Sequence, residues 1–244
     1  MRRRDILGVG FDPVSMEQAL DFLEEFVRSG RPHLVVTANP EMVMKARTDP
    51  LFMEILQRAD LVVPDGIGVV WAGAKLGQPF PERIPGIELA EGLLARAAAK
   101  GYRIFLLGSA PGVADQAAAK LQERWPGLRV VGTHHGFFQG PEEEQVLERL
   151  KELRPDILLA ALGVPRQEKW LAAHLAELRI PVAVGVGGSF DVWAGVDKRA
   201  PEWLRKLNLE WLYRLVRQPW RIRRMAVLPV FVLTVWKELL FKGR

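Results

Sequence analysis

The chain has 244 residues, 49% of them hydrophobic and 26% charged, with a formal net charge of +5 and no cysteine. Length and apolar content suit one well-buried domain with an appendage, and the missing cysteines exclude disulfides and thiolate metal sites. No hydrophobic run of signal-peptide length precedes Asp12, so export is not expected, and the longest apolar run, about a dozen residues, is too short to cross a bilayer, which takes about 20.

Ile6–Phe11 reads as a strand. Ser15-Met16-Glu17-Gln18 has capping-box form and opens a helix to Val27. His33–Val36 is strand-like, and Asn39-Pro40 then supplies an N-cap followed by a proline at the first helical position. Leu61–Val63 ends at Pro64-Asp65-Gly66, with a helix from about Ile67. An Ala/Leu-rich helix over Ile87–Lys100 leads to a strand at Arg103–Leu107. The alternation continues through helix 112–124, strand 128–132, helix 142–153, strand 156–161, helix 166–178 and strand 181–186. The strands are continuous apolar runs (RIFLLG, DILLAALG, PVAVGVG), as expected where helices cover both faces of a sheet. The expected fold is α/β: a Rossmann-like, mostly parallel sheet between helices, followed by a helical C-terminal appendage. The boundary is placed at Gly195–Pro201, giving an α/β domain over 1–195 and an appendage over 196–244.

The appendage is chemically distinct. From Gly195 onward there are 12 Lys/Arg against four acidic residues, a charge of +8, whereas the first 194 residues sum to −3. Arg214, Arg217, Arg221 and Arg224 recur at the spacing of one helix face, within a helix expected over 202–224. The uncharged stretch Met225–Trp236 follows. A cationic face beside an apolar run, with Trp203, Trp211, Tyr213, Trp220 and Trp236 interleaved, suits an anionic membrane surface. The same rings serve equally well to dock the tail on the body. RNA-binding and zinc-finger spacings are absent, so nucleic acid is not expected as a partner. An apolar tail exposed away from membrane would favour self-association, so a homo-oligomer is an open expectation.

Ligands of such sheets bind beyond the carboxyl ends of the strands. Polar groups stand there at Thr37-Ala38-Asn39, Asp65, Gly108-Ser109, Gln167-Glu168 and Gly187-Gly188-Ser189-Phe190-Asp191. The glycines Gly108, Gly187 and Gly188 permit close backbone approach, and helix N-termini after such loops favour phosphates. Asp65 has the position of a general base, with N-capping of the next helix as the competing reading. Asn39 has the same competing role, Thr37 that of a plain strand residue, and Arg83 that of a surface arginine or a phosphate contact. Gln167 reads as a contact to a sugar or base, or as an ordinary helix-entry residue, and Glu168 as compensation for the helix dipole. No Asp-x-Asp occurs. His134 and His135 are adjacent and would face opposite ways in a strand, so no metal site and no cofactor are expected.

TANPEMVMKAR, ADLVVPDGIGVVWAGAKLG, RIPGIEL, LLGSAPG, ALGVPRQEKW, GVGGSFDVWAG and RAPEWLRKLNLEWLYRLVRQPWR follow one another between Asp5 and Arg224. In this order they resemble the WecG/TagA/CpsF family, glycosyltransferase family 26, and most closely its teichoic-acid N-acetylmannosaminyltransferase branch. The resemblance implies a bacterial, inverting, metal-independent transferase that uses a UDP-sugar donor and an undecaprenyl-diphosphate-linked acceptor at the inner face of the membrane. In that branch the donor is UDP-N-acetylmannosamine, the acceptor N-acetylglucosaminyl-diphospho-undecaprenol and the linkage β-1,4. It further implies functional roles for Thr37, Asn39, Asp65, Arg83 and Gln167, with Asp65 similar to the proposed base. Arg214, Arg221 and Arg224 resemble arginines that close over the diphosphate. Donors such as UDP-N-acetylmannosaminuronate or UDP-glucose, in antigen or exopolysaccharide synthesis, remain alternatives within the family. A non-catalytic, membrane-docked nucleotide-binding protein is the alternative outside it.

Overall fold

A computed structural model describes residues 2–217 and 222–242, leaving aside the side chains of residues 214, 223, 224 and 242. The chain opens with β1 (Arg4–Ile6) and β2 (Val9–Phe11), then α1 (Met16–Ser29), β3 (His33–Ala38), α2 (Pro40–Ala46), α3 (Pro50–Arg58) and β4 (Leu61–Pro64). It continues with α4 (Ile67–Lys75), α5 (Gly86–Lys100), β5 (Arg103–Gly108), α6 (Val113–Arg124), β6 (Arg129–His134), α7 (Pro141–Leu153) and β7 (Ile157–Ala161). Then come α8 (Arg166–Leu178), β8 (Val182–Gly185), α9 (Ser189–Trp193), α10 (Glu202–Lys206), α11 (Glu210–Arg217), α12 (Ile222–Met225) and α13 (Val227–Lys242).

Six strands form one parallel sheet in the order β4-β3-β8-β7-β5-β6. Their apolar side chains alternate between two cores. Val36, Ala38 and Val62 join the core beneath α2, α3, α8 and α13, whereas Val35, Leu61 and Val63 join the one beneath α1, α5 and α6. Burial on both faces is why these strands are apolar throughout rather than at every second position. The parallel order brings all six carboxyl ends to one edge.

The segment expected as a single strand at Ile6–Phe11 is a hairpin. Leu7 and Gly8 take positive φ of 56° and 94° and turn the chain in two residues, so that Ile6 pairs with Val9 and Arg4 with Phe11. Asp12 then bonds along the free edge of β4, its Oδ2 accepting from the Val62 N–H at 2.8 Å. The helix expected over 202–224 is interrupted at Leu207-Asn208, where Asn208 has φ of 58°, a left-handed conformation that a helix interior does not admit.

The final apolar stretch forms α13, with Pro229 in its first turn, where a missing N–H costs nothing. α13 packs on α2 and α4, burying Phe231 and Val235 in the first core. Val230, Leu233, Trp236, Leu240 and Phe241 stay exposed on it. Among the described residues no helix is long and apolar enough to cross a membrane.

Candidate active site

The adjacent ends of β3 and β4 carry the first group of residues. The ladder pairs Thr37 with Val63 and Ala38 with Pro64, and the Asp65 N–H extends it by donating to the Ala38 carbonyl at 2.9 Å. Asn39 and Asp65 therefore emerge side by side as the chain leaves the sheet. Asn39 does cap α2, its Oδ1 accepting from the Met42 N–H at 3.0 Å. Asp65 does not cap α4. Gly66 takes that position and α4 has no side-chain cap, which removes the structural role that competed with a chemical one. Thr37 is buried beneath the first turn of α5, so close that a Cβ on Gly86 would lie 2.6 Å from its Oγ1. Arg83 precedes Ile84, whose N–H donates to the Pro64 carbonyl at 2.9 Å; this holds its half-buried side chain on the loop beside β4.

A second group bridges β7 and β8. Gln167, buried to 3% exposure, accepts from the Gly187 N–H at 3.2 Å and donates through Nε2 to Glu168 Oε1 at 2.7 Å. The pair lies directly over Gly185, where a Cβ would meet Gln167 Nε2 at 2.5 Å and displace the amide from this position. Glu168 is not a solvated first-turn carboxylate compensating a dipole, because it is 1% exposed and its Oε2 has no hydrogen-bond partner. Burial pushes its carboxyl up to about 7, opposed by the hydrogen bond from Gln167.

A third contact spans β7 from above. Ser109 Oγ donates to Asp191 Oδ1 at 2.5 Å, joining the Gly108 loop after β5 to the first turn of α9, with Gly187 and Gly188 just before it. The tail begins close by. Arg199 donates to Glu88 Oε1 at 2.7 Å in the first turn of α5 and lies 3.8 Å from Glu210, while Arg205 lies 3.6 Å from Glu88. Sequence reading did not single out these pairs, and the two to Glu88, over a hundred residues apart, leave no spacing signal. They carry α10 and α11 back to the helix that covers Thr37.

Among the predicted arginines, Arg214 falls on α11 and Arg224 on α12, with side chains outside the described residues, and Arg221 lies outside them altogether. The histidines depart from expectation. β6 ends at His134, so His135 is free to turn, and both rings face Glu142. Their adjacency does not send them apart.

Thr37, Asn39 and Asp65 on one side and Gln167, Ser109 and Asp191 on the other form a polar rim along the carboxyl edge. The buried Gln167 amide and the half-buried Asn39, Asp65 and Asp191 side chains there can orient hydroxyls, and Asp65 can accept a proton. A model of the Glycosyl transferase WecG/TagA/CpsF family matches residues 4–244. Relatives from Staphylococcus aureus strains MW2, NCTC 8325 and N315 are each 40% identical over 235 residues, covering 96% of this chain and 92% of theirs. Each is named N-acetylglucosaminyldiphosphoundecaprenol N-acetyl-beta-D-mannosaminyltransferase. By a family match that runs almost from end to end and by relatives of this identity, the chain belongs to the WecG/TagA/CpsF family of glycosyltransferases.

Proposed function

We propose that this chain transfers N-acetylmannosamine from UDP-N-acetylmannosamine to the C4 hydroxyl of N-acetylglucosaminyl-diphospho-undecaprenol, in wall teichoic acid synthesis. The observation that carries the reading is the activity named for the relatives that align over 96% of the chain. The polar rim at the carboxyl edge is consistent with it.

The reaction is a single displacement. Asp65 takes the proton of the acceptor hydroxyl, the oxygen forms its bond to the anomeric carbon, and the bond from that carbon to the diphosphate breaks on the opposite face. The configuration inverts, the linkage is β-1,4 and UDP leaves. Thr37, Asn39 and Gln167 orient the sugars. The charge that grows on the diphosphate is met by Arg83 and by Arg214, Arg221 and Arg224, in the role a metal ion plays in other transferases. Gly108, Gly187, Gly188 and Asp191 line the path of the donor nucleotide.

The enzyme acts at the inner face of the membrane as a peripheral protein. The exposed apolar residues of α13 and the basic tail support this. A transfer assay with a panel of UDP-sugars and a lipid-diphosphate acceptor tests the whole reading. Turnover should be highest with UDP-N-acetylmannosamine and should need no added Mg²⁺ or Mn²⁺. Preference for another donor would refute the assignment, and dependence on Mg²⁺ or Mn²⁺ that Zn²⁺ does not replace would refute the metal-free scheme.

A further inference from the structure

Three ligand-type side chains meet at the far edge of the sheet, away from Asp65. His134 closes β6, His135 follows it, and Glu142 stands in the first turn of α7. One ligand atom from each lies within 4.8 Å of the other two, and among the described residues no other trio of such side chains is so placed. Glu142 Oε1 is 3.7 Å from His134 Nε2 and 3.3 Å from His135 Nε2. In a tetrahedral site with Zn–N and Zn–O bonds of about 2.0–2.2 Å, neighbouring ligand atoms stand about 3.3–3.6 Å apart. The 3.3 Å separation matches one edge of such a tetrahedron, and the 3.7 Å separation is about 0.1 Å longer than a second.

Protonation favours the same use. His134 Nδ1 lies 2.9 Å from the His135 carbonyl, which only accepts, so Nδ1 carries a proton and Nε2 is the ring nitrogen turned towards Glu142. Glu143, next along α7, is committed elsewhere, to Trp170 Nε1 at 2.7 Å and His174 at 3.5 Å, which leaves Glu142 to the two imidazoles. One adjustment is required. His135 Nδ1 accepts from the Phe137 N–H at 3.3 Å, and ligation through Nε2 moves a proton onto Nδ1 and gives up that long hydrogen bond.

We propose that His134, His135 and Glu142 form a three-ligand site for Zn²⁺ or a similar late first-row divalent ion, with the fourth position left to water. Two imidazoles and one carboxylate suit such ions rather than Mg²⁺ or Ca²⁺. The ion ties the end of β6 to the start of α7. It thereby braces the intervening loop, whose Gly136 N–H donates to the Ser109 carbonyl at 2.8 Å beside the Asp191 contact.

The test is direct binding, so it stands or falls apart from any transfer assay. Full-length protein in metal-free buffer is titrated with Co²⁺, read by the intense visible bands of tetrahedral cobalt, and then with Zn²⁺ as competitor. One equivalent of tetrahedral Co²⁺, displaced by Zn²⁺, is expected. His134→Ala, His135→Ala and Glu142→Gln should each weaken binding at least tenfold, and His174→Ala should leave it unchanged. All three ligands are half-buried, and circular dichroism checks that the variants remain folded. Absence of tetrahedral bands in the wild-type protein overturns the proposal, as does wild-type affinity in the three folded variants.

Discussion

At the scale of single residues, Asn39 and Asp65 differ in the helix-capping role that competed with chemistry. Asn39 is accounted for as a helix cap, whereas Asp65 is not, because Gly66 occupies the capping position. Asp65→Asn should therefore lower kcat by about a hundredfold or more, the scale of general base catalysis, while UDP affinity in a calorimetric titration stays near wild type. Retained turnover would remove Asp65 from the mechanism. Glu168 supports a different measurement. Its folded-state value of about 7 stands above the 4.5 of an unperturbed carboxyl. Below pH 4.5 both states hold the proton. Between 4.5 and 7 only the native state does, so stability declines as pH rises through that window, by about 3 kcal/mol in total. Glu168→Gln should flatten that decline and leave the variant more stable than wild type at pH 8. Urea midpoints at pH 5 and pH 8 compare them, and equal pH slopes in the two proteins would contradict the buried acid.

At the scale of elements, α13 has two faces with separate consequences. Phe231 and Val235 belong to the core, and Phe231 reaches the starts of α2 and α4: a Cβ on Gly68 would meet Pro40 at 2.7 Å and the Phe231 ring at 3.9 Å. Those helices begin just after Asn39 and Asp65, so the last helix buttresses the site from beneath. Phe231→Ala should cost about 3–5 kcal/mol in urea denaturation, the usual range for a buried ring. Leu233 is 69% exposed. Leu233→Glu should leave stability within about 0.5 kcal/mol of wild type and lower co-sedimentation with anionic vesicles. Unchanged vesicle binding would show that the outer face of α13 is not the membrane contact. Shortening the chain to 1–195 would not isolate that contact, since it also strips Phe231 and Val235 from the core.

At the scale of the whole molecule, charge is divided between a body of −3 and a tail of +8. Arg199 and Arg205 meet Glu88 where the tail crosses α5, so part of that positive charge is spent on docking within the protein. Under the proposed membrane contact, the basic residues of the tail are drawn to anionic lipid. Vesicle binding by the full chain should accordingly weaken between 0.1 and 0.5 M salt, where the screening length falls from about 10 Å to under 5 Å. Salt-independent binding would assign the contact to the apolar residues alone.

Several features could be read from the chain alone for a physical reason: they are local. Apolar runs of strand length, the Asn39-Pro40 cap and the Ser15–Gln18 capping box depend on neighbours a few residues away, and the helices and strands they announce from Ser15 to Gly185 are present. So are the positions of the polar strand ends, because a parallel sheet delivers all its carboxyl ends to one edge. The family, too, is written in motif order. Other features were settled only in three dimensions. The Leu7-Gly8 turn hides inside an apolar run, since a buried leucine with positive φ gives no turn signal in sequence. Burial of Glu168 and the embedding of α13 depend on partners from distant segments, while the failure of Asp65 to cap and the meeting of His134 and His135 with Glu142 depend on where a strand or helix stops, which the sequence leaves open by a residue or two. Local periodicity specifies which side of an element is apolar; only packing decides what that side meets, and therefore which polar groups remain for chemistry.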